Sequence, residues 1–454
     1  MSRVYFDKKK IDITPKSPIS MIGYFNNRIS EGILDPLYVR ILALTDYVQS
    51  FLFIQIDTCL FSFDYATSIK KGISEATAFS FSDIMVFASH THTGPALESF
   101  FETKEESRYK EWLKNQIINA TKLLNATNEC SIKVSNITYN DLNSNRRWFM
   151  KDGRLLTNPP KGNPDILKPE GPVDRELRTF IVEDNIGLPQ VIIANISNHT
   201  DTIGGNLISA DWSGFMEKRV QSKLGKDTLV IPAIAPAGDI NHFDFFDSRN
   251  QTSYLEAERI GNAYGDIVIR GVEDAERVMI DKLCIEYTEA LIPSREIEKK
   301  ELDEARNYIK KFANIKVHPE ELTAEDLAEG NTYVEMIFKK ELLKYAKNRK
   351  EKYKVPFQAF FIESSKNEDK SISFIGIPGE PFVEIGIELK KINGYKLIMP
   401  ITLANGYYGY IPLEKHFKHG GYEVLTTPFN CLSKKAGYII TNEYKRILED
   451  YKNR

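Results

Sequence analysis

An α/β fold of mixed β-sheets with flanking helices is predicted by three features of the sequence. Short apolar, β-branched runs recur along the whole chain, amphipathic stretches lie between them, and Gly, Pro and Asn clusters punctuate both. Residues 1–60 read as strands. In that segment Val39–Leu44 and Phe51–Ile56 flank the turn-like Thr45-Asp46-Tyr47, a hairpin pattern. Asp64–Ala78 is spaced as a helix. Ile84-Met85-Val86-Phe87-Ala88 is short and continuously apolar, as expected of a buried central strand. Glu105–Asn125 is helical with a polar outer face. Asn143–Pro172 is rich in Asn, Pro, Gly and Lys and reads as a long irregular loop. Phe180–Val182, Val191–Ile196 and Thr228–Ala235 read as strands, and Ser253–Glu276 as a helix. Ser294–Tyr353 is dense in Lys and Glu and reads as a solvated, almost wholly helical excursion broken at Pro319 and Gly330. Four strands are expected after it, at Phe357–Ile362, Ile372–Ile377, Leu397–Leu403 and Gly437–Thr441. There is no internal repeat and no low-complexity tract.

Composition narrows the classes. A chain of 454 residues that is 42% hydrophobic can bury a sizeable core. A formal net charge of −3 asks for no polyanionic partner, which disfavours nucleic acid as a ligand. Cys59, Cys130, Cys284 and Cys431 contain no close pair, so neither a Cys-x-x-Cys knuckle nor a disulfide framework is expected; they read as buried, inert thiols. No stretch reaches the roughly 20 apolar residues of a membrane helix. The N-terminus has no apolar signal-peptide core, and a soluble, cytoplasmic protein is the expectation.

The candidate chemistry lies in the histidines. His90 and His92, in Ser89-His90-Thr91-His92-Thr93-Gly94-Pro95, follow an apolar strand directly, and their spacing points both side chains to one face. Taken alone, the pair fits hydrogen-bonded core histidines as well as metal ligands. His199 ends a second apolar run, and two strands delivering histidines at their C-terminal ends fit the usual placement of sites in α/β sheets. His242 lies a turn after a third such strand. His318, His416 and His419 sit in polar surroundings and are expected at the surface. Phe374–Pro381 ends a strand in a Pro-Gly turn and then presents Glu380, either a helix N-terminal acid or a ligand. Leu403–Pro412 sets Tyr407, Tyr408 and Tyr410 among glycines. No Gly-x-Ser-x-Gly elbow precedes a helix, which argues against a serine hydrolase.

In this order the segments resemble the catalytic domain of the neutral/alkaline, non-lysosomal ceramidases, from about Val4 to about Tyr438. Ile11–Pro15, Gly23-Tyr24-Phe25 and Asp35–Arg40 are similar to that domain's start. Ser89–Pro95 resembles its His-Thr-His-Ser-Gly-Pro motif, with Thr93 in place of serine. The chain looks most like the family's short members. The resemblance implies one catalytic domain over residues 1–454, interrupted by the charged excursion at about 294–353, without the C-terminal immunoglobulin-like domain of long members. It implies Zn2+ held by His90, His199, Glu380 and Tyr410, with Tyr407 as the alternative tyrosine, and His92 beside the metal. It further implies Tyr422 as donor to the reacting carbonyl oxygen, Arg146 lining the site, and Asp239 in a site loop. In that loop Asn241 stands where the family has serine, at a position that contacts the ceramide head group.

The implied activity is metal-assisted cleavage of an N-acyl amide, a non-peptide C–N bond of the kind found in sphingolipids. A zinc site of this type lowers the pKa of water from about 15.7 toward 7. His92 and Asp239 are both candidates for relaying the proton to the leaving amine. The rival expectations are a zinc esterase or amidase acting on a small polar substrate, and an inert metal-binding protein of the same fold.

Overall fold

The computed structural model describes residues 3–139, 142–315, 326, 330–364 and 371–453. A nine-stranded mixed sheet and a four-stranded mixed sheet dominate it. The larger is built from β1 (Val4–Asp12), β2 (Tyr38–Thr45), β3 (Ser50–Ile56), β4 (Ile84–Ala88), β5 (Asn128–Thr138), β6 (Glu176–Glu183), β7 (Pro189–Ile196), β8 (Leu229–Ile234) and β9 (Glu276–Val278). Its order is β8-β7-β6-β5-β1-β2-β3-β4, with β9 also paired to β5. The smaller has the order β10 (Lys282–Pro293), β11 (Lys352–Glu363), β12 (Ser371–Ile377), β13 (Tyr395–Thr402).

Period-two patterning decides what each strand face meets. In β2, Leu42 and Leu44 join Phe51 and Phe53 of β3 in a core that includes Phe360 of β11 and Phe374 of β12; this core lies between the two sheets. The alternate residues Ile41, Ala43, Leu52 and Ile54 pack instead against Ile69 of α1 (Phe63–Ala76) and Leu113 of α2 (Ser107–Lys122). Behind β6–β8 lie α3 (Trp212–Leu224) and α4 (Tyr254–Glu273). On the outer face of the smaller sheet, Phe357 and Phe361 meet residues of α6 (Thr332–Asn348), α7 (Val383–Lys390) and α8 (Ala436–Lys452). The layers therefore run helix, sheet, sheet, helix, as expected when each sheet must bury both faces.

Four expectations are corrected. Gly437–Thr441 begins α8 instead of a strand. Its β-branched start belongs to the spacing Ile440, Tyr444, Ile447, Leu448, which is helical once the window is widened. Asn143–Pro172 is not irregular throughout: Arg147–Met150 pairs with Leu155–Thr157 and with Ile166–Pro169. Strands of three or four residues among prolines are too short to show an alternation. The 294–353 segment holds α5 (Lys299–Lys311) and α6, but its described start and end are extended; Pro319 and residues 316–325 and 327–329 lie outside the described residues. Ile84–Ala88 is wholly buried, but β4 ends the strand path of its sheet instead of running through the middle. All four cysteines are free; Cys59 and Cys431 are buried, while Cys130 and Cys284 are half-buried. Among the described residues no helix is long and apolar enough to cross a membrane.

The pairs β3–β4, β7–β8 and β12–β13 are parallel. Their C-terminal ends meet where the two sheets touch. The Ala88 N–H donates to the Leu403 carbonyl at 3.4 Å, the Thr402 hydroxyl to the Ile234 carbonyl at 2.9 Å, and the Asn195 amide to the Pro400 carbonyl at 2.8 Å. Loops leaving these ends form the candidate site.

Candidate metal centre

His90 leaves β4 with φ of 66°, a left-handed backbone that a residue with a side chain seldom adopts. Its N–H donates to the Thr58 carbonyl at 2.9 Å, which holds the turn. Its Nδ1 lies 2.9 Å from the Cys59 carbonyl. A carbonyl only accepts, so Nδ1 carries a proton and Nε2 faces inward; burial disfavours the charged ring, but Cys59 and Glu380 outweigh it and raise His90 well above its usual value. His199, three residues past β7, repeats the device: Nδ1 lies 3.1 Å from the Ala237 carbonyl. Burial first and Arg146 second push His199 down to about 4, which keeps its ring neutral.

Glu380 enters from the smaller sheet, past the turn after β12. Its Oε2 lies 3.3 Å from His90 Nε2 and 3.2 Å from His199 Nε2. Burial opposes ionisation of this carboxyl, but His90 and His199 outweigh it and hold it well below the usual range. Oε2 is buried and accepts no hydrogen bond. Two imidazole nitrogens and a carboxylate oxygen thus converge. Such a trio could hold a divalent cation. Tight backbone approaches enforce the placement. A Cβ on Gly238 would sit 2.4 Å from the Glu380 carbonyl, and one on Gly379, at φ of 144°, 2.6 Å from the Gly409 carbonyl.

The tyrosines divide. Glu380–Pro381 pairs in parallel with Tyr410–Ile411, which sets Tyr410 beside Glu380. The Tyr407 hydroxyl donates to Glu380 Oε1 at 2.8 Å. Tyr410 and Tyr422 pack edge to face at 5.8 Å, and the Arg146 guanidinium lies 5.3 Å and 5.2 Å from their ring centres. Burial raises the Tyr422 hydroxyl above its usual value, so it stays a proton donor.

Arg146 is buried, with Nη1 3.2 Å from His199 Nε2, Nη2 donating to the Gly238 carbonyl at 2.7 Å and Nε to Glu423 at 3.0 Å. Glu423 also accepts from Arg147 at 2.6 Å and from Thr157 at 2.9 Å. Asp239 is fully committed: one oxygen accepts the Val383 N–H at 2.7 Å and the other Asn145 at 2.8 Å. Asn241 is bound to Asn158 at 2.6 Å. His242 lies apart, its Nε2 on the Gln251 carbonyl at 2.7 Å.

His92 Nε2 is 3.5 Å from His90 Nε2, so it faces the same centre. His416, expected at the surface, is buried between Glu170 and Glu384 at 3.1 and 3.4 Å. His419 is half-buried against Glu170 at 2.6 Å. His318 lies outside the described residues. The site also contains residues that the sequence reading missed. Cys59 Sγ is 3.5 Å from His90 Nδ1, and Asp201 and Tyr24 flank His92. Only the adjacency of Asp201 to His199 in the chain could have drawn attention to it.

The architecture is thus a layered α/β fold with a His, His, Glu cluster capable of holding a metal ion. Two solved structures share the fold. A neutral ceramidase from Pseudomonas aeruginosa superposes with a TM-score of 0.72 over 100% of this chain and 75% of its own, at 14% identity. A ceramidase complexed with C2 superposes with a TM-score of 0.68 over 98% of this chain and 74% of its own, also at 14% identity. No family model and no curated protein matches the sequence. At this identity the likeness is one of fold.

Proposed function

We propose that the chain is a zinc-dependent amidohydrolase of ceramidase type that cleaves the C–N bond of an N-acyl amide, its whole length forming one catalytic unit. The observation carrying this reading is the convergence of His90 Nε2, His199 Nε2 and Glu380 Oε2, with both Nδ1 protons fixed on backbone carbonyls. These three are the proposed ligands. Tyr410 is the proposed fourth, because Tyr407 is already engaged in orienting Glu380.

Bound zinc would supply Lewis acidity and an activated water. The remaining work falls to side chains. Tyr422 donates to the carbonyl oxygen as negative charge grows there, an interaction worth on the order of 3–4 kcal/mol. Arg146, fixed by Glu423 and Gly238, adds a cation beside the reacting group and orients the substrate's polar part. His92 relays the proton to the leaving nitrogen; both oxygens of Asp239 are committed to structure, which argues against that residue as the relay.

The test is elemental analysis of the purified chain followed by a screen of N-acyl amides and matched esters. One zinc per chain and amide hydrolysis are expected, with both lost in His90→Ala and His199→Ala. A chain with no stoichiometric metal that stays inactive after zinc addition would falsify the proposal. Faster cleavage of small polar esters than of any amide would instead favour an esterase. Asn241, bound to Asn158 at the family's head-group position, supports a head group other than that of ceramide.

A further inference from the structure

We propose that Asp201 is the positioning residue for His92, completing an Asp–His pair that hands a proton to the leaving nitrogen. The inference rests on the hydrolase reading above and assigns a residue that reading does not use.

Three observations place the pair. First, the loops carrying the histidines are stitched together: the His92 N–H donates to the Thr200 carbonyl at 3.2 Å, and the Thr200 hydroxyl donates to the Ser89 carbonyl at 2.5 Å. This sets Asp201, the next residue, beside the His92 ring, with Oδ1 3.6 Å from Nδ1. Second, His92 Nδ1 is buried and has no hydrogen-bond partner, while Nε2 faces the metal centre. An N–H on Nδ1 aimed at the carboxylate leaves Nε2 free to take up and release a proton. A small side-chain rotation closes 3.6 Å to hydrogen-bond length.

Third, a shell from the N-terminal segment is built around the pair. The Tyr24 hydroxyl donates to the same Asp201 oxygen. Arg28 stacks on the Tyr24 ring at 3.9 Å and donates to the His92 carbonyl. Gly23 lies so close that a Cβ there would meet the His92 ring at 2.8 Å.

Water gives its oxygen and one hydrogen to the acyl carbon as the new C–O bond forms. Its second proton is taken by His92 Nε2 and delivered to the leaving nitrogen as the C–N bond breaks. The products are a carboxylic acid and an amine, and His92 returns to its neutral form.

The experiment compares the zinc-loaded full chain with Asp201→Asn, Asp201→Glu and Tyr24→Phe on two substrates sharing one acyl group, an N-acyl alkylamine and a p-nitrophenyl ester. The ester's phenolate leaves without a proton, so delivery of the proton by His92 to the leaving group is needed only for the amide. Asp201→Asn is expected to keep one zinc per chain and to lose about 100-fold in kcat on the amide, with KM little changed, and markedly less on the ester. Asp201→Glu should recover part of that loss, and Tyr24→Phe should show the same selectivity more weakly. Equal losses on both substrates, an unchanged amide rate, or loss of zinc in Asp201→Asn overturns the assignment while leaving the hydrolase reading standing. A wild-type chain that holds no zinc and cleaves neither substrate overturns both.

Discussion

Tyr407 donates its hydroxyl to Glu380 Oε1 at 2.8 Å, which turns Oε2 toward His90 and His199. The carboxylate is thereby divided between an orienting contact and an open face. Tyr407→Phe should weaken zinc binding by about 10- to 100-fold without abolishing it, as loss of a partner behind a ligand does. Glu380→Gln, which removes the negative charge itself, should leave no stoichiometric zinc. Competition with a chromophoric chelator measures both. Zinc loss in Tyr410→Phe beside the milder effect of Tyr407→Phe would place the tyrosine ligand at Tyr410.

Tyr422 is buried beside Tyr410 and Arg146 and stays protonated. If it stabilises charge only as the carbonyl is attacked, Tyr422→Phe should lower kcat by about 100- to 1,000-fold and leave KM nearly unchanged. Steady-state kinetics on the best amide substrate decides; a rise in KM at constant kcat would reduce Tyr422 to a binding contact.

Glu423 sits between two buried cations, 3.0 Å from Arg146 and 2.6 Å from Arg147. Removing its charge leaves the buried Arg146 guanidinium without its carboxylate partner and Arg147 with Glu170 alone. Glu423→Gln should therefore cost roughly 3–5 kcal/mol of stability, a much larger effect than loss of an exposed ion pair. Urea unfolding monitored by tryptophan fluorescence gives the difference.

Acid sensitivity should come from the same region. Burial opposes ionisation of Glu170, but His416 and Arg147 outweigh it and bring this carboxyl down to about 2 from 4.5. A carboxyl with a depressed value in the folded state stabilises the fold above its unfolded value. That contribution, on the order of 1–2 kcal/mol once solvent screening is allowed for, fades as pH falls from about 4.5 toward 2. Unfolding free energies at pH 7, 5 and 3 should drop mainly over the last interval, and Glu170→Gln should flatten the drop while lowering stability at pH 7.

The proposed ligands were legible because each ends an apolar run. His90 follows β4, His199 follows β7 and Glu380 follows β12, and a polar residue at the end of a parallel strand is a visible interruption. Asp201 was not legible. It follows Thr200 without any periodic mark, and its partner Tyr24 lies 177 residues away in a loop whose path only the tertiary structure gives. His416 misled for a similar reason. Its neighbours Lys415 and Lys418 suggest solvent, yet the loop folds inward to meet Glu170, a residue from a segment that itself looked irregular. The helix α8 was obscured by a five-residue window in which β-branched side chains dominate, although its later residues carry a helical stripe.

The convergence of strand ends from two sheets also bears on biosynthesis. His90 and His199 emerge from the ribosome long before Glu380 and Tyr410, so a nascent chain holds half of the proposed chelate for much of its synthesis. Neither sheet alone can close the cluster. Capture of metal by the proposed cluster would therefore wait until the smaller sheet has docked, which would make metal occupancy a reporter of finished folding. A pulse-labelled chain truncated before β12 should be recovered without metal even when the cell has zinc in excess.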